Sequence, residues 1–580
     1  MNVDHPELLK VLNDRFSIPS FRGRQAEAIQ AVLDGRDVLL TMPTGAGKSL
    51  VYQLPGVVLD GLTLVISPLI ALMKDKVDGL RARGIRATFI NSSLSSKERA
   101  KRLDAATRGE YDLLFATPER FRSPAFREAI PALGITRLAV DEAHCISHWG
   151  HDFRPDYSRL GEYRALLGDP PTIAVTATAT PQVAEDIAHH LRLSDPLVLR
   201  TGIERENLFM GVTPIFEARE KVDVLAERIR QIDGPGIVYS ALIKDLEALH
   251  GELARQGVPS LVYHGGLSPD ERRSMQDQFM SSERDVVLAT NAFGMGVDKA
   301  DIRFVLHAQV PRTLEAWMQE VGRAGRDGKP SWCELLYFQE DVAIQQNFID
   351  WANPTLEYLV SVYETIVGWG ERIQAKDLDD LRDELLIKNK RDNRVSICLK
   401  WFEVLGITRG SFETRDLEIA RPLVPDELPP FVGSGDKRRG DLEGLLGMVR
   451  FANEPETCRR VLLAEHFGTD GPEGPCGACD LCTEATDWMG ERFATPRPLA
   501  APESETPNED RGAVPAAAEA KDSGDDSGFR RGDWVKVDGR HIGQVVRVEG
   551  SGRSVRLVVE SAGDMRRRTV NPARRDVERL

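Results

Sequence analysis

Between the apolar run Val38-Leu39-Leu40 and a second apolar stretch suited to a helix lies Thr44-Gly45-Ala46-Gly47-Lys48-Ser49. A strand that turns through glycines into a helix restricts the fold of this chain more than any other feature. Backbone N–H groups can curl around phosphate oxygens only where no Cβ intervenes, and the start of the helix adds the positive end of its dipole. In such a loop Thr44, Gly45, Ala46, Gly47, Lys48 and Ser49 would enclose the phosphates of ATP. Lys48 would reach the β- and γ-phosphates, and the Ser49 hydroxyl would ligate Mg²⁺. The strict pattern wants a glycine where Met42 stands, so the motif needs support from elsewhere.

That support comes at Arg137-Leu-Ala-Val-Asp141-Glu142-Ala143-His144, an apolar run ending in paired acids. Asp141 would hold Mg²⁺ through water, and Glu142 would polarise the attacking water. A further stretch, Gln319-Glu320-Val321-Gly322-Arg323-Ala324-Gly325-Arg326-Asp327-Gly328, offers two arginines three apart. Either could stabilise charge on the transferred phosphoryl group, and an arginine on a separate lobe would make closure depend on nucleotide. From residue 1 to 199 and again from 200 to 350, short apolar runs alternate with longer amphipathic segments. This is the pattern of two parallel α/β sheets.

Taken in order, these motifs resemble those of the RecQ family of superfamily 2 helicases, over about Phe16 to Phe338. The resemblance implies two RecA-like lobes with ATP between them. It places Gln25, in Phe21-Arg22-Gly23-Arg24-Gln25, on the adenine edge, and it accounts for Met42 in a Met-Pro-Thr-Gly loop. Lys74, in Ser67-Pro68-Leu69-Ile70-Ala71-Leu72-Met73-Lys74-Asp75, and Thr290, which opens Thr290-Asn291-Ala292-Phe293-Gly294-Met295-Gly296-Val297-Asp298-Lys299, would touch the DNA strand. His144, Thr176, Thr178 and Gln319 would couple strand to nucleotide. His148-Trp149-Gly150-His151-Asp152-Phe153-Arg154 resembles the aromatic-rich loop peculiar to this family. Independently of any likeness, Trp149 and Phe153 can stack on bases without reading sequence, and Arg154 supplies charge. Movement from 3′ to 5′ on DNA is what the resemblance implies, not something that spacing or charge reveals.

Beyond the lobes the chain departs from the usual order of that family. Residues 351–428 carry amphipathic stretches at 356–367, 378–386 and 395–405, then two short strand-like runs near 406–410 and 417–420, as in a winged helix placed ahead of the metal module. Lys388, Lys390, Arg391 and Arg394 would suit phosphates there; a helical spacer with a solvated basic face reads equally well. In 429–484 the thiols Cys458, Cys476, Cys479 and Cys482 have the spacing of a tetrahedral Zn²⁺ site, and an iron–sulfur cluster would use the same four ligands. Residues 485–529, rich in Pro, Ala, Ser and acids, read as a disordered linker. Residues 530–580 alternate apolar and polar positions between glycine turns, which predicts a small basic β-barrel with DNA, RNA or protein as its partner.

The formal charge of −15 excludes a uniformly basic surface but not local grooves for nucleic acid. No apolar run is suited to a signal peptide or a bilayer span, so a cytoplasmic, nucleoid-associated monomer acting on single-stranded, forked or duplex DNA is expected, without membrane contact. A translocase that does not unwind, an RNA helicase and an ATP-clamped scaffold remain open.

Overall fold

The computed structural model describes residues 2–68, 70–150, 152–202, 205–294, 297–387 and 392–493, together with five strands of the tail. They fall into two units, residues 1–502 and 503–580. The first lobe is built on β1 (Val38–Thr41), β2 (Leu62–Ile66), β3 (Ala87–Ile90), β4 (Leu113–Ala116), β5 (Ile135–Asp141), β6 (Thr172–Thr176) and β7 (Leu197–Arg200). All pair in parallel in the order β3-β4-β2-β5-β6-β1-β7. Successive residues point to opposite faces: Val38 and Leu40 join one core, Leu39 the other. Both faces are covered, which is why these strands read as continuous apolar runs.

The second lobe repeats this with β8 (Leu208–Ile215), β9 (Gly236–Tyr239), β10 (Leu261–Tyr263), β11 (Val286–Ala289), β12 (Phe304–His307) and β13 (Ser331–Phe338). They are parallel in the order β10-β11-β9-β12-β13-β8. In both lobes the motif residues sit just past the C-terminal ends of strands, where parallel α/β sheets place their ligands.

The region expected to resemble a winged helix holds helices Leu356–Trp369, Leu378–Glu384 and Arg394–Val404, then the hairpin β14 (Thr408–Arg409) and β15 (Glu418–Ile419). Its own core includes Val362, Ile366, Leu381, Phe402 and Leu417. The two ends of this insertion meet. A Cβ on Gly433, at φ +73°, would lie 2.9 Å from the Leu356 nitrogen. Arg438 pairs with Asp350 at 2.8 Å, and Asn353 donates to Asp441 at 2.7 Å.

The cysteine module is attached differently. Helices Asp436–Asn453 and Arg459–Phe467 place Leu445, Met448, Phe451, Leu463 and Phe467 in the core of the second lobe. The Met210 N–H donates to the Ala478 carbonyl (3.0 Å) and the Asp480 N–H to the Met210 carbonyl (3.2 Å), extending the β8 edge.

Two expectations change here. The linker expected from residue 485 begins with a helix, Ala485–Arg492, and Trp488, only 3% exposed, packs on Phe209 and Trp332. Trp488 and Met489, with Ala485 and Phe493 packed beside them, carry this docking, too few apolar residues to register in a polar, acidic composition. The remainder of the expected linker, 494–529, lies outside the described residues. In the tail, β16 (Trp534–Val537), β17 (His541–Glu549), β18 (Arg556–Ser561), β19 (Arg567–Val570) and β20 (Val577–Arg579) form an antiparallel sheet in the order β19-β18-β17-β16-β20. The alternating apolar and polar positions form the expected antiparallel strands, and among the described residues no register joins β19 to β20 to close them into a barrel. No helix of the described residues is long and apolar enough to cross a membrane.

Candidate functional site

The glycine loop follows β1 and leads into the helix Leu50–Val58. Gly45 and Gly47 stand at φ +83° and +88°, conformations a side chain would strain. Lys48 is partly buried, its Nζ donating to the Met42 carbonyl at 3.0 Å. Burial pulls the Lys48 pKa down, and the Glu142 and Asp141 carboxylates partly restore it. Gln25, 2% exposed, donates from Nε2 to the carbonyls of Ala46 and Gly47, both at 3.1 Å, and accepts from the Arg22 N–H at 2.8 Å. Its amide therefore braces the loop expected to hold the phosphates.

The paired acids close β5. Asp141, 4% exposed, accepts from the Glu142 N–H at 3.1 Å and from the Tyr52 hydroxyl at 3.5 Å, and is ion-paired with Lys76. Burial works to lower the Lys76 pKa, but Asp141 and Tyr52 outweigh it and the net shift is upward. Burial, with Asp141, pushes the Tyr52 phenol up to about 12. Glu142 adopts φ 50°, ψ 50°, a left-handed conformation that costs a non-glycine residue about 1–2 kcal/mol. Next to it, His144 Nδ1 is 2.8 Å from Thr176 Oγ1, which donates to the Thr178 carbonyl at 3.2 Å. The Met42 N–H donates to the Thr176 carbonyl at 3.0 Å. The acids, the loop and the Thr176 turn thus share one hydrogen-bonded frame.

From the second lobe, helix Leu314–Val321 carries Gln319 and delivers the two arginines to different places. The Arg326 stem lies over the glycine loop, where a Cβ on Gly45 would be 3.4 Å from its Cγ, and its guanidinium pairs with Asp298 at 2.5 Å. Arg323, 6% exposed, stays within its own lobe, donating to the Gly294 carbonyl. Asn207 donates to the Gly325 carbonyl at 2.9 Å and Arg205 to the Ala324 carbonyl at 2.9 Å, fixing the turn between the arginines.

The residues expected on DNA are scattered. Lys74 is exposed and paired with Asp78 at 2.8 Å. Thr290 is only 7% exposed at the end of β11, so its side chain has little to offer a strand. Arg154 donates to Asp152 at 3.0 Å and to the Pro68 carbonyl at 3.2 Å. The aromatic loop is packed rather than free. Phe153 lies 6.0 Å from the Trp401 ring and 5.7 Å from Phe431, His148 stacks on Phe431 at 5.0 Å, and Trp149 covers Gly440, where a Cβ would be 2.4 Å from its ring. Lys388, Lys390 and Arg391 lie outside the described residues, and Arg394 is held by Asp392. A cavity of about 780 Å³ between the first lobe and the inserted hairpin is lined by five arginines and by Glu119, Glu162 and Glu403, with Arg122 paired to Glu403 and Arg159 to Glu162, so its charge is largely balanced.

Cys458, Cys476, Cys479 and Cys482 present sulfurs all within 4.8 Å of one another, with Cys479 Sγ 3.9 Å from Cys458 Sγ. Tetrahedral Zn–S bonds of about 2.3 Å separate sulfurs by about 3.8 Å, so the cluster fits zinc. Arg459 braces it through Asp480 at 3.0 Å. Cys145, Cys333 and Cys398 are buried and apart from it.

Sequence reasoning missed Lys76, Tyr52, Arg205 and Asn207. Lys76 stood two residues from Lys74, and only helix phase separates them: one faces Asp141, the other solvent.

Comparison with known proteins gives three family matches: DEAD/DEAH box helicase over residues 22–187, helicase conserved C-terminal domain over 220–328, and RecQ zinc-binding over 414–483. The chain is 42% identical over 382 residues to the "Probable ATP-dependent DNA helicase RecS" of Bacillus subtilis, covering 66% of this chain and 76% of that protein. It is 44% identical over 337 residues to "ATP-dependent DNA helicase RecQ" of the same organism, covering 58% and 57%, and 42% identical over 357 residues to "ATP-dependent helicase SGS1" of Saccharomyces cerevisiae, covering 59% and 24%. It thus spans little over half of the second relative and a quarter of the third. Among solved structures, Mycobacterium smegmatis helicase Lhr bound to ssDNA and AMP-PNP is similar at 20% identity and a TM-score of 0.46, over 74% of this chain and 60% of that one.

Proposed function

The chain belongs to the RecQ family of ATP-dependent DNA helicases, and from that premise we propose that it steps 3′ to 5′ along one DNA strand and unwinds duplexes during recombination, repair or replication-fork processing. The observation that carries the ATP-driven part of this reading is the Arg326 stem of the second lobe lying over the glycine loop of the first, beside Gly45; the polarity and the duplex substrate rest on the family likeness. One chain supplies both halves of the ATP site, so we take the working unit to be a monomer, acting on nucleoid DNA in the cytoplasm.

Ser49 and Asp141 would hold Mg²⁺, which neutralises phosphate charge when bound. Lys48 binds the β- and γ-phosphates. Glu142 orients and polarises the attacking water, and its strained backbone fixes where that carboxylate points. Arg326 reaches the phosphoryl oxygens from the other lobe, so hydrolysis requires closure. Arg323 acts as a positioning residue, holding the loop at Gly294 against the arginine turn. Gln25 braces the phosphate loop until adenine offers its edge. His144, Thr176, Thr178 and Gln319 transmit closure to the strand contacts at Lys74, Trp149, Phe153, Arg154 and the Thr290 turn, which grip and release in alternation. The cysteine cluster takes Zn²⁺ as a structural cross-link.

The test pairs steady-state ATP hydrolysis, with no nucleic acid, single-stranded DNA or matching RNA, with unwinding of forks bearing 3′ or 5′ overhangs. DNA stimulation with unwinding from a 3′ overhang alone supports the reading. Glu142→Gln should then lower turnover about 10²-fold or more while sparing ATP binding, and Arg326→Ala should lower it far more than Arg323→Lys. Stronger stimulation by RNA, or hydrolysis without unwinding, overturns the substrate or the strand-separating part respectively.

A further inference from the structure

Apart from both the ATP cleft and the cysteine cluster, the first residue of the aromatic loop and the helix Pro181–His190 bring two imidazoles and a carboxylate together. Asp186 and His190 are four apart on that helix and so share a face. His148 Nδ1 lies 3.6 Å from Asp186 Oδ2, and His190 Nε2 lies 3.3 Å from Asp186 Oδ1. One ligand atom from each residue is within 4.8 Å of the other two. Zinc–ligand bonds of about 2.0–2.1 Å at tetrahedral angles put neighbouring ligand atoms about 3.3 Å apart, which matches.

A second observation points the same way. His148 Nδ1 and Asp186 Oδ2 are buried atoms without a hydrogen-bond partner, facing one another across a gap too wide for a hydrogen bond. Buried polar atoms are rarely left so, and a bound ion is one recognised reason. The ligands are also held in place. The His148 ring is stacked on Phe431, 5.0 Å away with planes 5° apart, and has the Trp149 ring 4.7 Å away, tilted by 43°. Asp186 is flanked by both imidazoles, His148 Nδ1 on Oδ2 and His190 Nε2 on Oδ1, which fixes the side on which its carboxylate faces them. The nearby cation, Lys437, is engaged by both oxygens of Asp441 at 2.9 Å.

We propose that His148, Asp186 and His190 bind a divalent late first-row cation of the zinc class, with water completing the coordination. Imidazole and carboxylate ligands suit such ions, whereas the cysteine cluster is a separate all-thiolate site. Because His148 opens the aromatic loop, the cation staples that loop to the first lobe and slows DNA-stimulated ATP hydrolysis. This second effect rests on the loop's proposed role in coupling; the binding itself does not.

The experiment uses the full chain with its cysteine cluster loaded with zinc, dialysed against Co²⁺ and counted by metal analysis. The wild type is expected to take up one further equivalent, with a visible cobalt spectrum free of thiolate charge transfer. His190→Ala and Asp186→Asn should each lose it while keeping the wild-type circular dichroism, the cluster zinc and metal-free ATP hydrolysis. Added Zn²⁺ should cut DNA-stimulated hydrolysis several-fold in the wild type and not in His190→Ala. No further equivalent in the wild type, or one that persists in both variants, overturns the site. A bound cation that leaves hydrolysis unchanged overturns the brake and, given intact DNA stimulation, does not touch the helicase reading.

Discussion

The zinc module and the inserted helical region both follow the second lobe, yet they are joined to the motor by different physics. The zinc module has no core of its own: Leu445, Met448, Phe451, Leu463 and Phe467 lie in the core of the second lobe, and its backbone extends the β8 edge. The insertion has a private core around Val362, Phe402 and Leu417 and meets the first lobe through aromatic contacts and ion pairs. Examples are Phe153 with Trp401, Lys400 with Asp156 at 2.9 Å, and Arg122 with Glu403 at 2.5 Å. A region that shares a core melts with its host, whereas one with its own core opens independently. The first kind serves stability, and the second can move.

The most severe way to break this contrast is to strip the zinc. Structural zinc contributes apparent folding energy on the order of 10 kcal/mol in small modules. Chelation, or Cys479→Ser, should therefore lower the melting temperature of the second lobe by roughly 10 °C or more, with the insertion unaffected. A calorimetric trace in which the lobe keeps its transition without zinc would abolish the distinction. Next comes Arg459→Ala, which leaves the largely buried Asp480 without its partner; about 3 kcal/mol of lobe stability should go, read from urea unfolding. Phe431→Ala works on the other side of the contrast. It should cost about 1–2 kcal/mol locally, leave the motor's melting temperature unchanged, and lower several-fold the DNA concentration for half-maximal ATP hydrolysis, because the aromatic loop is released. If neither DNA response nor insertion stability changes, the seam is inert.

The smallest effect is acid sensitivity of the insertion through Asp392. Burial raises its pKa, but hydrogen bonds from the Arg394 side chain and backbone outweigh that, so the net shift is downward. A carboxyl depressed on folding contributes stability fully above its unfolded pKa, about 3.9, and loses it as pH falls through the lower folded value. Insertion stability should drop as pH falls from about 4 through the folded pKa, an effect softened by solvent screening, followed by tryptophan fluorescence. Asp392→Asn should flatten that slope.

The same contrast explains what could be read from sequence. The glycine loop, the paired acids, the arginines and the four cysteines are close in sequence, so spacing reveals them, and both-face burial wrote the strands as apolar runs. The inserted helices and hairpin were legible because a private core imposes its own periodicity. What depends on distant packing was not. The inward turn of Lys76 toward Asp141, the burial of Thr290 and the docking of Trp488 on Trp332 are set by neighbours roughly 65 to 155 residues away or in another layer of the sheet. The cluster of His148, Asp186 and His190 spans a gap that no local pattern marks.

Gly433 against Leu356 has one more consequence. Because the two ends of the insertion touch, the host helices on either side, Val342–Ala352 and Asp436–Asn453, need not separate to admit it. The host's own loop is closed at nearly the same entropic cost whether a few residues or a whole folded cassette lies between the ends. That makes the position a natural splice point. Here a chain can gain, lose or exchange an accessory domain in a single genetic event without redesigning its motor, and an engineer could use the same point to attach a reporter or a new targeting module.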